Sequence, residues 1–392
     1  MPADAQPLTI GVPKEISPGE RRVSIVPNDL RALKKQGFEV IVEAGAGFLS
    51  GFPDAKYAQQ GARIVGGRAE LNSANIIVHL RAGAADSSQP LAVEQEMQAN
   101  QILIALCDPL WDAKPMATLA ERQVTTFALE LMPRISRAQT MDVLSSMATI
   151  VGYKAVILAA NASPRMFPMM MTAAGTLTPA KVFVIGAGVA GLQAISTAKR
   201  LGAIVSGYDV RPAAKEQIQS VGGKPVDLGV EAADAESKGG YARAMDEDFY
   251  RRQQAALAKF LADSDVLITT AAVPGKKAPV LVTAEMVAGM APGSVIVDLA
   301  AERGGNCAVT QPGETVDVGG VTVIGPVNLA STVAGHASQM FSRNVTALLL
   351  HMRQLGLPEL DLKDEIIRET LVTRSGQLVH PVVRDRLGSL VS

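Results

Sequence analysis

Lys181-Val182-Phe183-Val184-Ile185-Gly186-Ala187-Gly188-Val189-Ala190-Gly191 is the stretch that decides the fold. A short apolar strand runs without a break into Gly-x-Gly-x-x-Gly. Gly186 permits a tight turn, Gly188 lets backbone N–H groups approach a pyrophosphate, and Gly191 lets the next helix pack close to the strand. The six residues Gly186, Ala187, Gly188, Val189, Ala190 and Gly191 are therefore a candidate pyrophosphate loop, with a helix N-terminus facing the negative charge. An amphipathic run continues to Leu201, a second apolar stretch covers Ala203–Tyr208, and Asp209 follows, eighteen residues past Gly191. A carboxylate there accepts hydrogen bonds from an adenosine ribose and repels a 2′-phosphate, which favours NAD(H) over NADP(H). Arg211, just beyond, is the residue type that can instead accept a 2′-phosphate.

At 392 residues the chain exceeds one ordinary domain, and two are expected. It is 48% hydrophobic but only 4% aromatic, the balance of packed α/β layers built from small aliphatic residues. A formal net charge of −1 gives no general attraction to nucleic acid, so no nucleic-acid partner is expected. No apolar run reaches the ~20 residues of a membrane helix. The best candidate, Met147–Ala160, is interrupted by Lys154, and Met1–Pro7 has no signal pattern. A cytoplasmic chain without direct membrane insertion is expected. Cys107 and Cys307 read as two reduced, buried thiols, and the four histidines (His79, His336, His351, His380) show no metal-ligand spacing.

Short apolar strands alternate with helical patterns along most of the chain. Thr9–Val12, Glu39–Glu43, Asn75–Leu80, Ile102–Leu106 and Val124–Leu129 read as strands, with helices at Pro27–Gln36, Asp54–Gln60 and Lys114–Arg122. A long helical segment, Thr140–Asn161, leads to a second set of strands at Val182–Ile185, Ile204–Asp209, Val266–Thr270, Val295–Asp298 and Val321–Ile324. Another long helix, Ser331–Leu355, carries the chain back, and the Pro358–Ser392 tail packs on the first sheet. The expected architecture is two doubly wound Rossmann-like α/β domains with a cleft between them: 1–142 with 333–392, and 143–332. Two segments break the alternation. Phe167–Pro179 reads as a hairpin whose three consecutive methionines suggest core packing, or an arm lent to a dimer interface. Lys224–Asp248 is long, polar and acidic, and reads as a lid over bound nucleotide.

Gly11-Val12-Pro13-Lys14-Glu15, Gly19-Glu20-Arg21-Arg22-Val23-Ser24 and Pro27, Leu30, Leu33, Gly37 open the chain. Together with the fingerprint, Val273–Pro279 and Pro292–Asp298, this order of motifs resembles the alanine dehydrogenase/pyridine nucleotide transhydrogenase family over nearly the whole length. Arg134-Ile135-Ser136-Arg137-Ala138-Gln139-Thr140-Met141-Asp142-Val143-Leu144-Ser145 is similar to the loop that holds the nicotinamide end of the cofactor in the NAD(H)-binding component of proton-translocating transhydrogenases. The resemblance implies that Arg134 and Asp142 pair with each other and with the carboxamide. It implies that Ser145 supports that end, and that Gln139 sits where a second nucleotide arrives; Ile135, Ser136 and Arg137 belong to the same contact set. It also places cofactor contacts at Asp209, Val210, Arg211, Gly240, Tyr241, Gln253 and Ala272.

The dehydrogenase branch of the family binds pyruvate with an Arg, a Lys and a His. Here Arg22 is present, but Arg81 falls at the Lys position and Asp108 at the His position. Oxidising an amino acid needs a group that moves protons near neutral pH, which Arg cannot do. Passing a hydride between two nicotinamides needs none. The resemblance thus implies an NAD(H)-binding component that passes hydride from NADH to NADP+ held on a partner subunit, coupled to proton flow through membrane-spanning subunits. It implies a homodimer docked on the cytoplasmic face of the inner membrane. The rival readings are an alanine dehydrogenase-like enzyme and a non-catalytic NAD(H)-sensing module.

Overall fold

The computed structural model describes residues 8–85, 92–229 and 246–391. Among them the strands, in chain order, are β1 (Leu8–Val12), β2 (Phe38–Glu43), β3 (Arg63–Val65), β4 (Ile76–Arg81), β5 (Ile102–Leu106) and β6 (Thr125–Ala128). There follow β7 (Met170–Thr172), β8 (Gly175–Leu177), β9 (Lys181–Ile185), β10 (Ile204–Tyr208), β11 (Lys224–Pro225), β12 (Val266–Thr269) and β13 (Val295–Asp298). The last are β14 (Thr315–Val318), β15 (Val321–Ile324), β16 (Leu371–Arg374) and β17 (Gln377–Leu378). The chain divides into two compact units, one of Met1–Met147 with Ala330–Ser392 and one of Ala148–Leu329.

The first unit holds a sheet of order β17-β16-β6-β5-β4-β1-β2-β3. Its β1–β6 part is parallel and reads 3-2-1-4-5-6 from its outer edge, so the order reverses between β1 and β4. The C-terminal tail extends it: β16 runs antiparallel to β6, with Leu371 opposite Phe127, and β17 turns back on β16. Ile41, Ile77, Leu103 and Val372 pack on one face against Met116, Leu119 and Val383. The helices Lys114–Glu121 and Pro381–Val391 supply those last three residues.

The second unit repeats the plan in the order β11-β10-β9-β12-β13-β15-β14, with the reversal between β9 and β12. Its central strands are apolar at almost every position because both faces are covered. Val182, Val184, Val205, Ile268 and Val297 face Ala155, Ala159, Ala194 and Ala198, whereas Phe183, Ile185, Leu267 and Ile296 face Leu257 and Leu261. One edge departs from the parallel plan, with β14 antiparallel to β15.

Two expectations are corrected. The hairpin β7–β8 does not pack in the core: Met169 is 59% exposed, Met171 78% and Leu177 50%. Its arms are too short and too regular to bury either face, so the methionines stand outward. The helix Val143–Ala162 is, by length and composition, long and apolar enough to cross a membrane, contrary to the expectation that no stretch qualifies. Packing accounts for part of that apolarity, since Ala155, Val156 and Ala159 are fully buried in the second core. The expected lid, with Gly240 and Tyr241, falls largely outside the described residues.

Candidate functional site

The second unit places its glycine-rich turn at the carboxyl end of β9, beside the switch point where open α/β sheets bind ligands. Gly186 has φ of +94°, and a Cβ there would lie 2.5 Å from Thr270 Oγ1. The Thr270 hydroxyl donates to Gly186 O at 3.0 Å, tying the turn to the end of β12. At Gly191 a Cβ would sit 1.7 Å from Gly186 O, so no side chain fits. Gly188 is different: a Cβ there meets nothing within 4 Å. It is also the N-cap of the Val189–Arg200 helix, which has no side-chain cap. Two glycines demanded by packing and one facing open space at an uncapped helix end leave room and free N–H groups that a phosphate could occupy. The long helix also reaches this point, for a Cβ on Gly152 would come 2.1 Å from Ala190 O.

Asp209 lies just past β10 with its carboxylate already engaged. Oδ2 accepts from the Ala187 N–H at 2.7 Å and Arg211 Nη2 at 3.0 Å, and Oδ1 accepts from Arg211 N and Nε, both at 2.9 Å. Arg211 is therefore folded back on Asp209, which ties the glycine-rich loop to the end of β10; Val210, between them, is half-buried. Gln253 is 3% exposed; its Nε2 donates to Tyr208 Oη at 2.9 Å, while Oε1 has no hydrogen-bond partner among the described residues. Burial pushes the Tyr208 hydroxyl up from its usual range, opposed by the Gln253 bond. An orphaned buried acceptor and an open phosphate cradle both suit a dinucleotide.

Ala272 is exposed on the loop after β12. Sequence reading missed what shapes this loop. The Asn306 side chain is fully buried and brackets Ala271, with Ala271 N donating to Oδ1 and Nδ2 donating to Ala271 O, both at 2.9 Å. Asp298 in turn accepts from Asn306 N, Cys307 N, Ala300 N, Thr269 Oγ1 and Thr310 Oγ1. An Asp closing an otherwise apolar strand was the available signal.

In the first unit, the Arg134–Ser145 segment is a 3-10 turn (Ser136–Met141) leading into the Val143–Ala162 helix. Ala138 and Met141 are buried and Asn344 Nδ2 donates to Thr140 O at 2.8 Å, which leaves Arg134, Ser136, Arg137 and Gln139 outside the core and Ile135 half-buried. Asp142 is held by Ser145, whose N–H donates to Oδ1 at 2.9 Å and whose hydroxyl donates to Oδ2 at 2.6 Å. That contact is a helix cap, and it fixes the Asp142 carboxylate at the start of the long helix. Arg137 reaches Asp364 at 2.6 Å, and His351 Nε2 lies 3.1 Å from the same carboxylate. Burial works against the charged form, but the bonds from Arg137 and His351 outweigh it and hold Asp364 at about 2.

The three positions that the sequence reading set against the dehydrogenase branch, Arg22, Arg81 and Asp108, all have partners within the first unit. Arg22 is 3% exposed and bidentate with Glu20, at 2.7 Å from Nε and 2.6 Å from Nη2. Arg81 Nε lies 3.9 Å from the same carboxylate. Asp108 has φ of +46° and donates its N–H to Glu130, a residue that sequence reading passed over. Burial pushes the Glu130 carboxyl up to about 7. Among the described residues no group of three His, Cys, Asp or Glu side chains could hold a metal ion.

The sequence profile of the Alanine dehydrogenase/PNT N-terminal domain matches residues 11–151, and that of the C-terminal domain matches 155–381. The chain is 46% identical over 382 residues to the first part of a divided NAD(P) transhydrogenase subunit alpha from Rhodospirillum rubrum, covering 96% of this chain and 99% of that one. It is 26% identical to an alanine dehydrogenase of Bacillus subtilis, with 97% and 95% covered. Among solved structures it resembles a transhydrogenase from Sinorhizobium meliloti, with a TM-score of 0.82, 42% identity and 95% and 99% of the two chains covered. An L-alanine dehydrogenase gives 0.80 at 26% identity, with 98% and 100% covered. The fold is shared with both branches, identity is much higher on the transhydrogenase side, and the chain belongs to the alanine dehydrogenase/pyridine nucleotide transhydrogenase family.

Proposed function

We propose that this chain is the NAD(H)-binding component of a proton-translocating transhydrogenase. The Gly186–Gly191 loop holds the pyrophosphate and Asp209 the adenosine ribose. The Arg134–Ser145 segment serves the nicotinamide end, with Arg134, Asp142 and Ser145 orienting the carboxamide and Gln139 at the face a second nucleotide meets. The reduced nicotinamide supplies a hydride, whose C–H bond breaks as a new one forms on NADP+ held by the partner subunit. No proton is exchanged at either carbon, so the chain's own groups need only hold, orient and exclude water, an effect that can be worth about 7–11 kcal/mol.

The observation that carries this reading is the state of the dehydrogenase positions. Arg22 is closed on Glu20, and Arg81 and Asp108 stand where a proton carrier would be needed. The far higher identity to transhydrogenase alpha subunits supports the same choice. Membrane-spanning partners would carry the protons, placing the chain peripherally on the cytoplasmic face, and the exposed Met169–Leu177 hairpin would serve a homodimer. The test is a comparison of two assays on the isolated chain. NADH oxidation should occur with an NADP+-loaded transhydrogenase partner domain and not with pyruvate plus ammonium. The reverse pattern would identify an amino-acid dehydrogenase, and NADH binding with neither activity would identify a sensor.

A further inference from the structure

We infer that the first unit carries a second anion site, a pocket for a phosphate-bearing group walled by the Phe48–Ser50 turn, Lys56 and the first turn of the Ala334–Gln354 helix. The cavity there measures about 530 Å³, within the range of small-molecule sites. Arg21, Lys56 and His336 line it, joined by Gln339, and no Asp or Glu does. The backbone N–H of Arg21 donates to Glu20 Oε1 at 3.1 Å, but none of the three side chains forms an ion pair among the described residues, whereas neighbouring arginines of this unit are paired: Arg22 with Glu20, Arg68 with Glu43 and Glu96, Arg137 with Asp364. Three cationic or protonatable groups gathered without an acidic residue repel one another unless an anion sits among them.

The pocket is also preorganised. Arg21 is fixed by its backbone to both walls, its N–H donating to Ser331 Oγ at 2.8 Å and its carbonyl accepting from Ser50 Oγ at 2.7 Å. Ser50 Oγ lies 2.9 Å from Ser338 Oγ on the long helix, which locks the turn to it. The backbone of Arg21 is thus held at the pocket, and its exposed side chain lines it. A planar fork, a point charge and an imidazole suit the several acceptor oxygens of a phosphate better than the two of a carboxylate. None of these residues belongs to the glycine-rich loop or to the Arg134–Ser145 segment, so the site stands apart from the proposed hydride chemistry. A free phosphate compound and a lipid headgroup share this chemistry.

The test uses the whole chain saturated with NADH, so that the glycine-rich loop is covered, titrated by calorimetry with inorganic pyrophosphate. In a parallel arm it is sedimented with phosphatidylglycerol–phosphatidylcholine vesicles and with phosphatidylcholine alone. Arg21→Gln with Lys56→Gln is compared with Arg31→Gln with Lys35→Gln, the same charge change on an exposed helix of the same unit. Saturable pyrophosphate binding weakened about tenfold or more by the first pair and spared by the second is expected. The same pattern on anionic vesicles alone would keep the site and assign its anion to a headgroup. No saturable binding in either arm, or equal losses in both double variants, overturns the inference. Unchanged NADH affinity reports that each variant is folded.

Discussion

Gly188 and Gly191 sit three residues apart in one helix turn, yet they are glycine for opposite reasons. A methyl at Gly191 collides with a carbonyl 1.7 Å away, whereas a methyl at Gly188 meets nothing within 4 Å. Gly191→Ala should therefore cost about 1–3 kcal/mol of stability in urea unfolding, as overpacking does. Gly188→Ala should leave the midpoint unchanged and weaken NADH about tenfold in a fluorescence titration, the scale of one lost charge-assisted contact. Equal NADH affinity in Gly188→Ala would remove the cradle. Asp209→Asn should also weaken NADH, and by releasing Arg211 it should raise the relative affinity for NADPH; an unchanged NADH/NADPH ratio would contradict the tether seen between those two side chains. The glycines were legible in the sequence because each answers a steric demand with a fixed spacing. Glu130 and Asn306 were not, because their partners are backbone groups of loops distant in sequence that no local pattern reveals.

At the scale of elements, the segment proposed for the nicotinamide end is tied to the C-terminal tail chiefly by Asp364, with Glu365 3.9 Å from Arg137. Asp364 caps the Glu365–Thr370 helix through the N–H groups of Ile366 and Ile367, and it also holds Arg137 and His351. Its folded value of about 2 lies below the ordinary carboxylate value of 3.8, so the charged form is favoured by folding. The stabilisation is fully present above about pH 4 and is lost as pH falls through about 2. Asp364→Asn should remove that acid-dependent part of the stability, and a thermal-melt series from pH 5 to 2 checks it: the wild type should lose stability faster than the variant. Parallel slopes would show that the contact contributes nothing. Most central strands were legible from their apolar runs, which double coverage requires. The edge strands β14 and β17 and the four-residue β16 beside β17 were missed since each is too short to show a pattern of its own, and they are held by their neighbours. The hairpin was legible as a hairpin, but its exposure was not, since methionines suit a core and an unfilled surface equally well.

The whole molecule uses one strand order twice, and the two copies have diverged in chemistry. In the second unit the reversal point carries a glycine-rich turn; in the first the strand ends carry Glu15, which accepts from the Leu80 N–H, Arg81, near Glu20, and Asp108, whose N–H donates to Glu130. The proposed homodimer has its own test. Met171→Asp, at a position 78% exposed in the single chain, should shift the sedimentation coefficient from dimer to monomer while costing under about 1 kcal/mol of stability; an unshifted dimer would place the interface elsewhere. Gln139→Asn should slow hydride transfer far more than it weakens NADH binding, and matched losses would contradict a positioning role. The most direct measurement follows the hydrogen itself. NADH carrying two deuterium atoms at C4 is mixed in ordinary water with this chain and an NADP+-loaded transhydrogenase partner domain, and the NADPH formed is weighed by mass spectrometry. One deuterium per NADPH is predicted, because the hydride passes from ring to ring with no proton carrier between; NADPH carrying solvent hydrogen, or no NADPH while both nucleotides are bound, would contradict the account.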